Sequence, residues 1–308
     1  MSALLRARRG AVVVFGLAAL TPLVVRDAYF LDSLVLILLW GALSAAWNVA
    51  GGYAGQVSIG HASFFGIGAY SAALMVTRFG RGPWLGLLVG VVLSIGAGLI
   101  IGVLSNRLKG PYFALSTIAF SQVLLIGVSR WRGFTAGAEG IPVPFRSGFA
   151  TLGLGHTGWV YLERSRVGYQ LAGVREDEDA AEALGIHTRK LKVGAVALSA
   201  ALTSICGSLW AQYVGFVDPT YVFSVDLSVR FALNAIIGGM GTALGPFLGS
   251  ILITSLETYL RATFSNWDAR FAGIYLVIYG TALILVVRFV PEGLAGIAAR
   301  IRMRKAHA

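Results

Sequence analysis

The sequence predicts an all-α protein that crosses a membrane several times, as a bundle of transmembrane helices with broken or re-entrant glycine-rich segments. Hydrophobic residues make up 56% of the 308 residues and charged residues only 13%, whereas soluble domains are roughly 45–50% apolar and 25% charged. The apolar residues also fall in long blocks, without the period-two alternation of a membrane β-barrel. Because only helices and closed barrels satisfy their backbone in lipid, the blocks are predicted to be helices.

Most of the apolar blocks reach the length of about 20 residues that a helix needs to cross the hydrocarbon core. The first of them resembles a secretory signal peptide, but it lacks a clear cleavage site and another block follows at once, so we interpret it as a membrane segment. The blocks cover residues 11–25, 30–49, 58–77, 84–104, 112–128, 191–217, 227–260 and 272–289.

Cysteine content and net charge exclude several other classes of site. Cys206 is the single cysteine, which excludes an internal disulfide and a cysteine-cluster metal site. The net charge of +11 comes from basic residues spread over short loops between apolar blocks. This distribution is typical of membrane topology signals, so the predicted surroundings are a lipid bilayer and not nucleic acid.

The charged segment 163–190 is predicted to be a cytoplasmic loop. It is rich in both carboxylates and basic side chains, and Lys and Arg accumulate on the cytoplasmic side of membrane proteins. The basic tail after Arg288 is placed on the same side. When both segments are placed in the cytoplasm, the number of crossings predicted for the first half does not fit. Either Gly148–Leu162, which is short for a crossing, does not span by itself, or residues 11–25 do not span.

The stretch GGYAGQVSIGHASFFGIGAY, residues 51–70, combines glycines with three polar side chains, Gln56, Ser58 and His61. Small residues four apart let membrane helices approach closely, and Ser58, Ala62 and Gly66 have this spacing. Gln56 and Ser58 stand where a glycine-rich turn enters a helix, so two roles remain open for them, satisfying the free amides of that helix or lining a pathway. His61 is a packing residue or a proton relay.

A second broken segment is predicted around Asn234, Thr242 and Pro246, where block 227–238 is too short to span. Discontinuous helices of this kind commonly line transport pathways. Gly241, Gly245 and Gly249 repeat the spacing of small residues that favours close helix packing.

The segment REDEDAAEALGI, residues 175–186, predicts a short acidic helix. Glu178 and Asp179 stand near its N-terminus, where the helix dipole favours anions, and Gly185 is placed to end it. Ala180, Ala181 and Leu184 are expected to share one face. Interfacial helices are usually basic with large apolar residues, so this one is predicted to dock in a protein groove instead of on lipid.

No catalytic motif accompanies these features. None of the four lysines is followed by Ser or Thr, so the chain has no phosphate-binding loop, and no H-E-x-x-H pair occurs. We therefore expect no enzyme activity and no cofactor on this chain. If transport uses ATP, other subunits must hydrolyse it.

Six ordered motifs resemble the permeases of branched-chain amino acid ABC importers. They are GQVSIGHASFFGIGAY, RLKGPYFALSTIAFSQVL, TAGAEGI, REDEDAAEALGI, YVGFVDPTYVFSVDLSV and IIGGMGTALGP. The resemblance as a whole covers about residues 30–295. The resemblance implies one permease domain over 1–308 in a bacterial inner membrane. It also implies a second permease, two cytoplasmic ATPases and an extracytoplasmic binding protein, with Glu178 to Gly185 as the coupling helix seated on an ATPase.

Two other functions stay open on the residues alone. A secondary transporter driven by an ion gradient would use His61 or Glu257 as its proton site, although it offers no reason for the acidic helix. The second alternative is a role as a receptor or scaffold. The substrate is not determined by the sequence, since permeases of this type handle branched-chain amino acids, urea and other small amides or acids.

Overall fold

The helices of the computed structural model follow the apolar blocks, which confirms the all-α membrane fold. The structure describes residues 27–104, 108, 110–144, 170–171, 174–175 and 178–265, together with 277, 280–281, 284, 288 and 293–296. The blocks 11–25 and most of 272–289 lie outside these residues, as does Gly148–Leu162, the stretch that is short for a crossing.

The helices, long and short, are numbered together in chain order. They are α1 (Ala28–Asn48), α2 (Ala62–Thr77), α3 (Pro83–Leu104), α4 (Pro111–Arg130), α5 (Arg132–Thr135), α6 (Glu178–Ala183), α7 (Thr188–Val214), α8 (Pro219–Val222), α9 (Val225–Gly239) and α10 (Gly245–Ser265).

Among the described residues, four helices are long and apolar enough to cross a membrane: Ala28–Tyr53, Pro83–Leu104, Pro111–Arg130 and Thr188–Val214. The first of these is α1 continued by one wider π turn, Val49–Tyr53. Helix α2 is apolar but shorter. At 1.5 Å per residue its 16 residues extend over about 24 Å, less than the core of about 30 Å.

Backbone contacts divide the described chain into two units. One holds the described residues up to Ala45 and from Leu233 onward, and the other holds those within Ala46–Gly153 and Arg166–Ala232. Both boundaries that fall in described chain lie inside helices, α1 and α9. The expectation of one permease domain over 1–308 stays a prediction.

The larger unit is built on three mutually packed helices, α2, α3 and α7. Glycine permits the close approach of α2 and α7: a Cβ built on Gly68 would overlap the backbone oxygen of Ser204, and one built on Gly207 would overlap that of Phe65. In lipid, where the hydrophobic effect does not drive helices together, such backbone contact supplies much of the attraction. A buried apolar cluster completes the core: Ala50, Phe64, Ile101, Phe113, Val196 and Ala200.

A two-stranded ribbon lies beyond the C-terminal end of α7. β1 (Ile141–Pro142) pairs antiparallel with β2 (Phe216–Val217), with Ile141 opposite Val217. The amide of Val143 extends the ribbon by donating to the oxygen of Gly215. Asp218 then begins α8 as its N-cap, since its side chain accepts a hydrogen bond from the amide of Thr220.

Candidate functional site

The candidate site contains the broken segment, which we define as residues 49–61 between α1 and α2. After the π turn the backbone reverses at Gly55, whose φ is +67°, and the amide of Gln56 donates to the oxygen of Ala50 at 2.8 Å. Residues 54–60 then continue without helix before α2 begins at Ala62. The predicted interruption is therefore present, and it falls where the sequence changes from glycine-rich to polar.

Side chains from three other places satisfy the backbone of this segment. The indole of Trp47 donates to the oxygen of Ser58 at 2.7 Å. The hydroxyl of Thr117 on α4 accepts from the amides of Ile59 and Gly60, each at 3.2 Å, and the hydroxyl of Ser228 on α9 accepts from the amide of Ala62 at 2.8 Å. Irregular backbone in a membrane protein needs such partners, because lipid offers none.

Two roles were left open for Gln56 and Ser58, and other side chains fill the first of them, satisfying the amides at the start of α2. Ser58 is 2% exposed, and its hydroxyl oxygen has no hydrogen-bond partner among the described residues. The amides are bound by hydroxyls that lie 57 and 166 positions away in the chain. Local capping was one of the two roles considered from sequence, and tertiary partners bind these amides instead.

His61 is fully buried at the start of α2. Its Nε2 lies 2.6 Å from the hydroxyl oxygen of Ser199 on α7, and that hydroxyl donates to the backbone oxygen of Ala46 at 2.6 Å. Because the serine hydroxyl has one proton and donates it to the Ala46 oxygen, His61 is the donor of the bond between Nε2 and Ser199. Its ring also meets Phe64 edge to face, with centroids 5.1 Å apart. These contacts are those of a packing residue.

Gln56 occupies a different position, because it is half-buried and faces open space. It lines a cavity of about 200 Å³ together with Gly55, Arg175, Glu178 and Lys192. It also lines a second cavity, of about 290 Å³, beside the first turn of α4. Gln56 thus borders both of these cavities, whereas Ser58 and His61 are buried and line neither of them.

The predicted small-residue line of Ser58, Ala62 and Gly66 is not one helical face, because Ser58 precedes the helix. Gly66 instead receives the ring of Phe223, which a Cβ at that position would overlap. The closest approach to α4 is made by Gly60, where a Cβ would overlap the backbone oxygen of Thr117. Gly60 and Gly66 are therefore packing sites.

The second glycine-rich segment forms a tight turn between α9 and α10, in the smaller unit. Gly241 has φ +77°, and the hydroxyl of Thr242 donates to the oxygen of Gly239 and accepts from the amide of Gly245. A Cβ at Gly245 would overlap the oxygen of Gly239. The predicted break at 239–246 is therefore a helical hairpin, and the proline at position 246 lies in the first turn of α10.

Asn234 is fully buried on α9, close to this turn. A Cβ at Gly249 would overlap its backbone oxygen, and its side-chain amide has no hydrogen-bond partner among the described residues. Glu257, the other candidate for a proton site, is half-buried on α10.

Helix α6 is the predicted acidic helix, and it ends as expected at Gly185. This glycine has φ +80°, its amide donates to the oxygen of Glu182, and the amide of Ile186 donates to the oxygen of Ala181. The pair of bonds is a Schellman motif, which needs a left-handed residue at this place.

Two carboxylates of α6 attach the helix to the first turns of α7. Glu178 forms an ion pair with Lys192, and Glu182 accepts a hydrogen bond from the hydroxyl of Thr188. The partners are spaced four residues apart on each helix, so the two contacts lie side by side. Glu178 was predicted only as part of a docking helix, and its intramolecular role was not foreseen.

The apolar stripe of α6 is not one face, contrary to the expectation. Ala181 is 4% exposed and lies against its own chain, whereas Leu184 is 83% exposed and Ala180 is also exposed. Positions 180 and 184 are four apart and share a face, while position 181 is turned by about 100° from 180. The exposed surface at the C-terminal end of α6 therefore includes Ala180 and Leu184, the residue that follows the helix.

Four of the residues that hold the broken segment were not predicted from the sequence: Thr117, Ser199, Ser228 and Arg175. Their common signal is weak, a polar side chain in or beside an apolar block, and nothing in the sequence says which segment each one meets. Within the described residues, no group of three or more His, Cys, Asp or Glu side chains is placed to hold a metal ion.

Comparison with known proteins agrees with the resemblance. Residues 29–287 match the family model described as branched-chain amino acid transport system / permease component. The chain is 26% identical over 303 residues to the high-affinity branched-chain amino acid transport system permease protein LivM of Escherichia coli strain K12, covering 85% of this chain and 69% of the relative.

Two further relatives extend the comparison. The probable branched-chain amino acid transport permease protein LivM of Methanocaldococcus jannaschii is 24% identical over 322 residues, covering 86% of this chain and 93% of the relative. The autoinducer 2 import system permease protein LsrC of Yersinia enterocolitica is 23% identical over 244 residues, covering 72% and 65%. No solved structure gives a significant match. Because the family model covers most of its length, this chain belongs to the permease component family of branched-chain amino acid transport systems.

Proposed function

We propose that this chain is one permease subunit of an ATP-driven importer for branched-chain amino acids or a related small polar substrate. It forms the translocation pathway with a second permease subunit in a bacterial inner membrane. It couples through residues 175–186 to two cytoplasmic ATPases, which bind the helix at residues 178–185 and supply the energy. An extracytoplasmic binding protein delivers the substrate. The chain itself carries no cofactor, and the ATP is used by the partner subunits.

The observation that carries this proposal is the construction of α6. It is a short helix, closed by Gly185, anchored to α7 through Glu178 and Glu182, and it presents Ala180 and Leu184 outward. An exposed leucine is a poor lipid anchor on a helix this acidic, but it fits a groove in a soluble protein. Anchoring at two points lets a force on α6 reach a transmembrane helix.

The broken segment supports the transport role. Its backbone leaves the helical form at Ala54–Gly60, and Gln56 borders two cavities there. Discontinuous helices with polar groups beside open space are typical of substrate pathways. The role of His61 as a proton relay has less support. Its Nε2–H donates a hydrogen bond to the Ser199 hydroxyl, which in turn donates to a backbone carbonyl.

The test is reconstitution of the complete transporter in liposomes, with uptake of labelled leucine and of other small amino acids and amides measured in turn. We expect uptake that needs ATP inside and the loaded binding protein outside, and that survives a proton ionophore. Uptake that is independent of ATP and abolished by the ionophore would instead establish the secondary transporter. Purified alone, the chain is expected to show no ATP hydrolysis.

A further inference from the structure

Arg175 lies on the chain just before α6 and contacts the end of α1. Its Nη1 donates to the backbone oxygen of Gly52 at 3.0 Å, across 123 positions of sequence. Gly52 belongs to the last turn of the π segment. The final carbonyls of a helix lack partners within the helix and carry its negative dipole end, so a guanidinium there is favourable.

The stem of Arg175 also lies along the reversal of the broken segment. A Cβ built on Gly55 would lie 3.4 Å from Cγ of Arg175 and 3.7 Å from its Cα. Gly55 is the left-handed residue at which the backbone turns away from α1. One side chain therefore contacts both the terminal carbonyl of α1 and the turn that follows it.

The surroundings leave room for this contact to change. The cavity of about 200 Å³ that Gln56 lines is bordered by Arg175, Glu178 and Lys192. Glu178 and Lys192 are the ion pair that fixes α6 to α7. The ion pair therefore couples α6 to the start of α7, and beside this cavity Arg175 connects the chain before α6 to the broken segment at Gly52 and Gly55.

We propose that Arg175 is a positioning residue that transmits displacement of α6 to the broken segment. This inference rests on the proposed function, since α6 must be moved by an ATPase. When α6 is displaced, the hydrogen bond from the guanidinium to the Gly52 carbonyl lengthens or breaks. The backbone turn at Gly55 then shifts and moves Gln56 beside the cavities.

The test compares Arg175→Met, Arg175→Lys and the control Arg189→Met, which removes an exposed basic side chain from the first turn of α7. Each variant is purified with its ATPases in liposomes, and ATP hydrolysis is measured with and without loaded binding protein. A second readout uses the chain alone: Val57→Cys in a Cys206→Ser background, labelled with a water-soluble maleimide. Val57 is 39% exposed and follows Gln56 directly.

For Arg175→Met we expect ATPase association to be retained, stimulation by the loaded binding protein to fall about tenfold, as loss of a charged hydrogen bond allows, and position 57 to be labelled faster. Arg175→Lys should restore part of the stimulation, and Arg189→Met should match the parent. Unchanged labelling, unchanged stimulation or lost ATPase association would each overturn the proposal. If the parent shows no ATP-dependent uptake, the proposed function fails and the coupling role falls with it; normal uptake in both parent and Arg175→Met refutes the coupling role alone.

Discussion

His61 Nε2 and the hydroxyl of Ser199 are joined by a 2.6 Å hydrogen bond between the start of α2 and the middle of α7. The serine hydroxyl continues to the backbone of Ala46 in the last turns of α1, so three helices meet at one buried polar link. A link of this kind holds helices in register, because a buried donor that loses its partner is costly.

Replacing Ser199 with Ala should therefore destabilise the protein without touching a pathway. The Nε2 proton of His61 would lose its acceptor, which costs about 1–3 kcal/mol for a buried group. We expect the thermal unfolding temperature in detergent and the uptake rate to fall together. Uptake lost at an unchanged unfolding temperature would instead assign the pair a role in transport.

Gln56→Leu should behave in the opposite way. The side chain is half-buried and borders two cavities, so its replacement by an apolar residue of similar size should leave the unfolding temperature nearly unchanged. We expect uptake to decrease and the apparent affinity of the complete transporter for substrate to change. His61→Leu is the matched comparison, since there both stability and uptake should decline. Equal losses of stability in the two variants would contradict the distinction.

Gly68→Ala tests the contact between α2 and α7. The added methyl group overlaps the backbone oxygen of Ser204, and the helices must separate to admit it, at a cost of about 1–3 kcal/mol. The control is Gly96→Ala on α3, where the space around the new Cβ is open and helix propensity improves by up to about 1 kcal/mol. A lower unfolding temperature for the first variant alone is expected. Equal temperatures would show that the packing here is loose.

Variants at Ala181 and Leu184 distinguish the effect of α6 on folding from its effect on docking. Leu184→Asp changes a side chain that is 83% exposed, so membrane insertion and stability should persist while the ATPases no longer co-purify. Ala181→Asp buries a carboxylate against the chain itself, so it should lower stability as well as transport. Gly185→Val should act like Ala181→Asp, because valine is strained at φ +80°. Normal co-purification of the ATPases with Leu184→Asp would exclude docking on this surface.

The irregular topology calls for labelling from each side of the membrane. With Cys206 replaced by Ser, single cysteines at Ser2, Ser147 and Ser165 report the side of each position. Because Gly148–Leu162 is about 22 Å long as a helix, short of the core of about 30 Å, we expect that it does not span alone or that residues 11–25 do not span. Position 147 outside with positions 2 and 165 inside would contradict this.

Much of the fold was predictable from sequence because lipid restricts the solutions. A block of about 20 apolar residues in a membrane must be helical, so the bounds of α1, α3, α4 and α7 follow from hydropathy to within a few residues. The breaks were predictable too, since glycine with polar residues interrupts such blocks near 51–60 and 239–246. Gly185 as the end of α6 followed from local chemistry, because a left-handed residue closes a helix.

The partners of the broken segment depended on tertiary structure. Thr117, Ser199 and Ser228 are ordinary residues of apolar helices, and their hydroxyls meet the backbone of residues 59–62 and His61 only because α4, α7 and α9 are packed around that segment. Gln56 and Ser58 are closer to these amides in sequence, but the amides bind the hydroxyl groups that helix packing brings within hydrogen-bonding distance.

The same contrast between local and tertiary interactions applies to α6. The sequence predicted a short acidic helix within residues 175–186, since the helix dipole and capping act within a few residues. Which apolar residue is covered depended on how α6 lies against α7, where the ion pair of Glu178 with Lys192 turns Ala181 inward and leaves Leu184 exposed. Local interactions decide that a helix forms, and long-range contacts decide which way it faces.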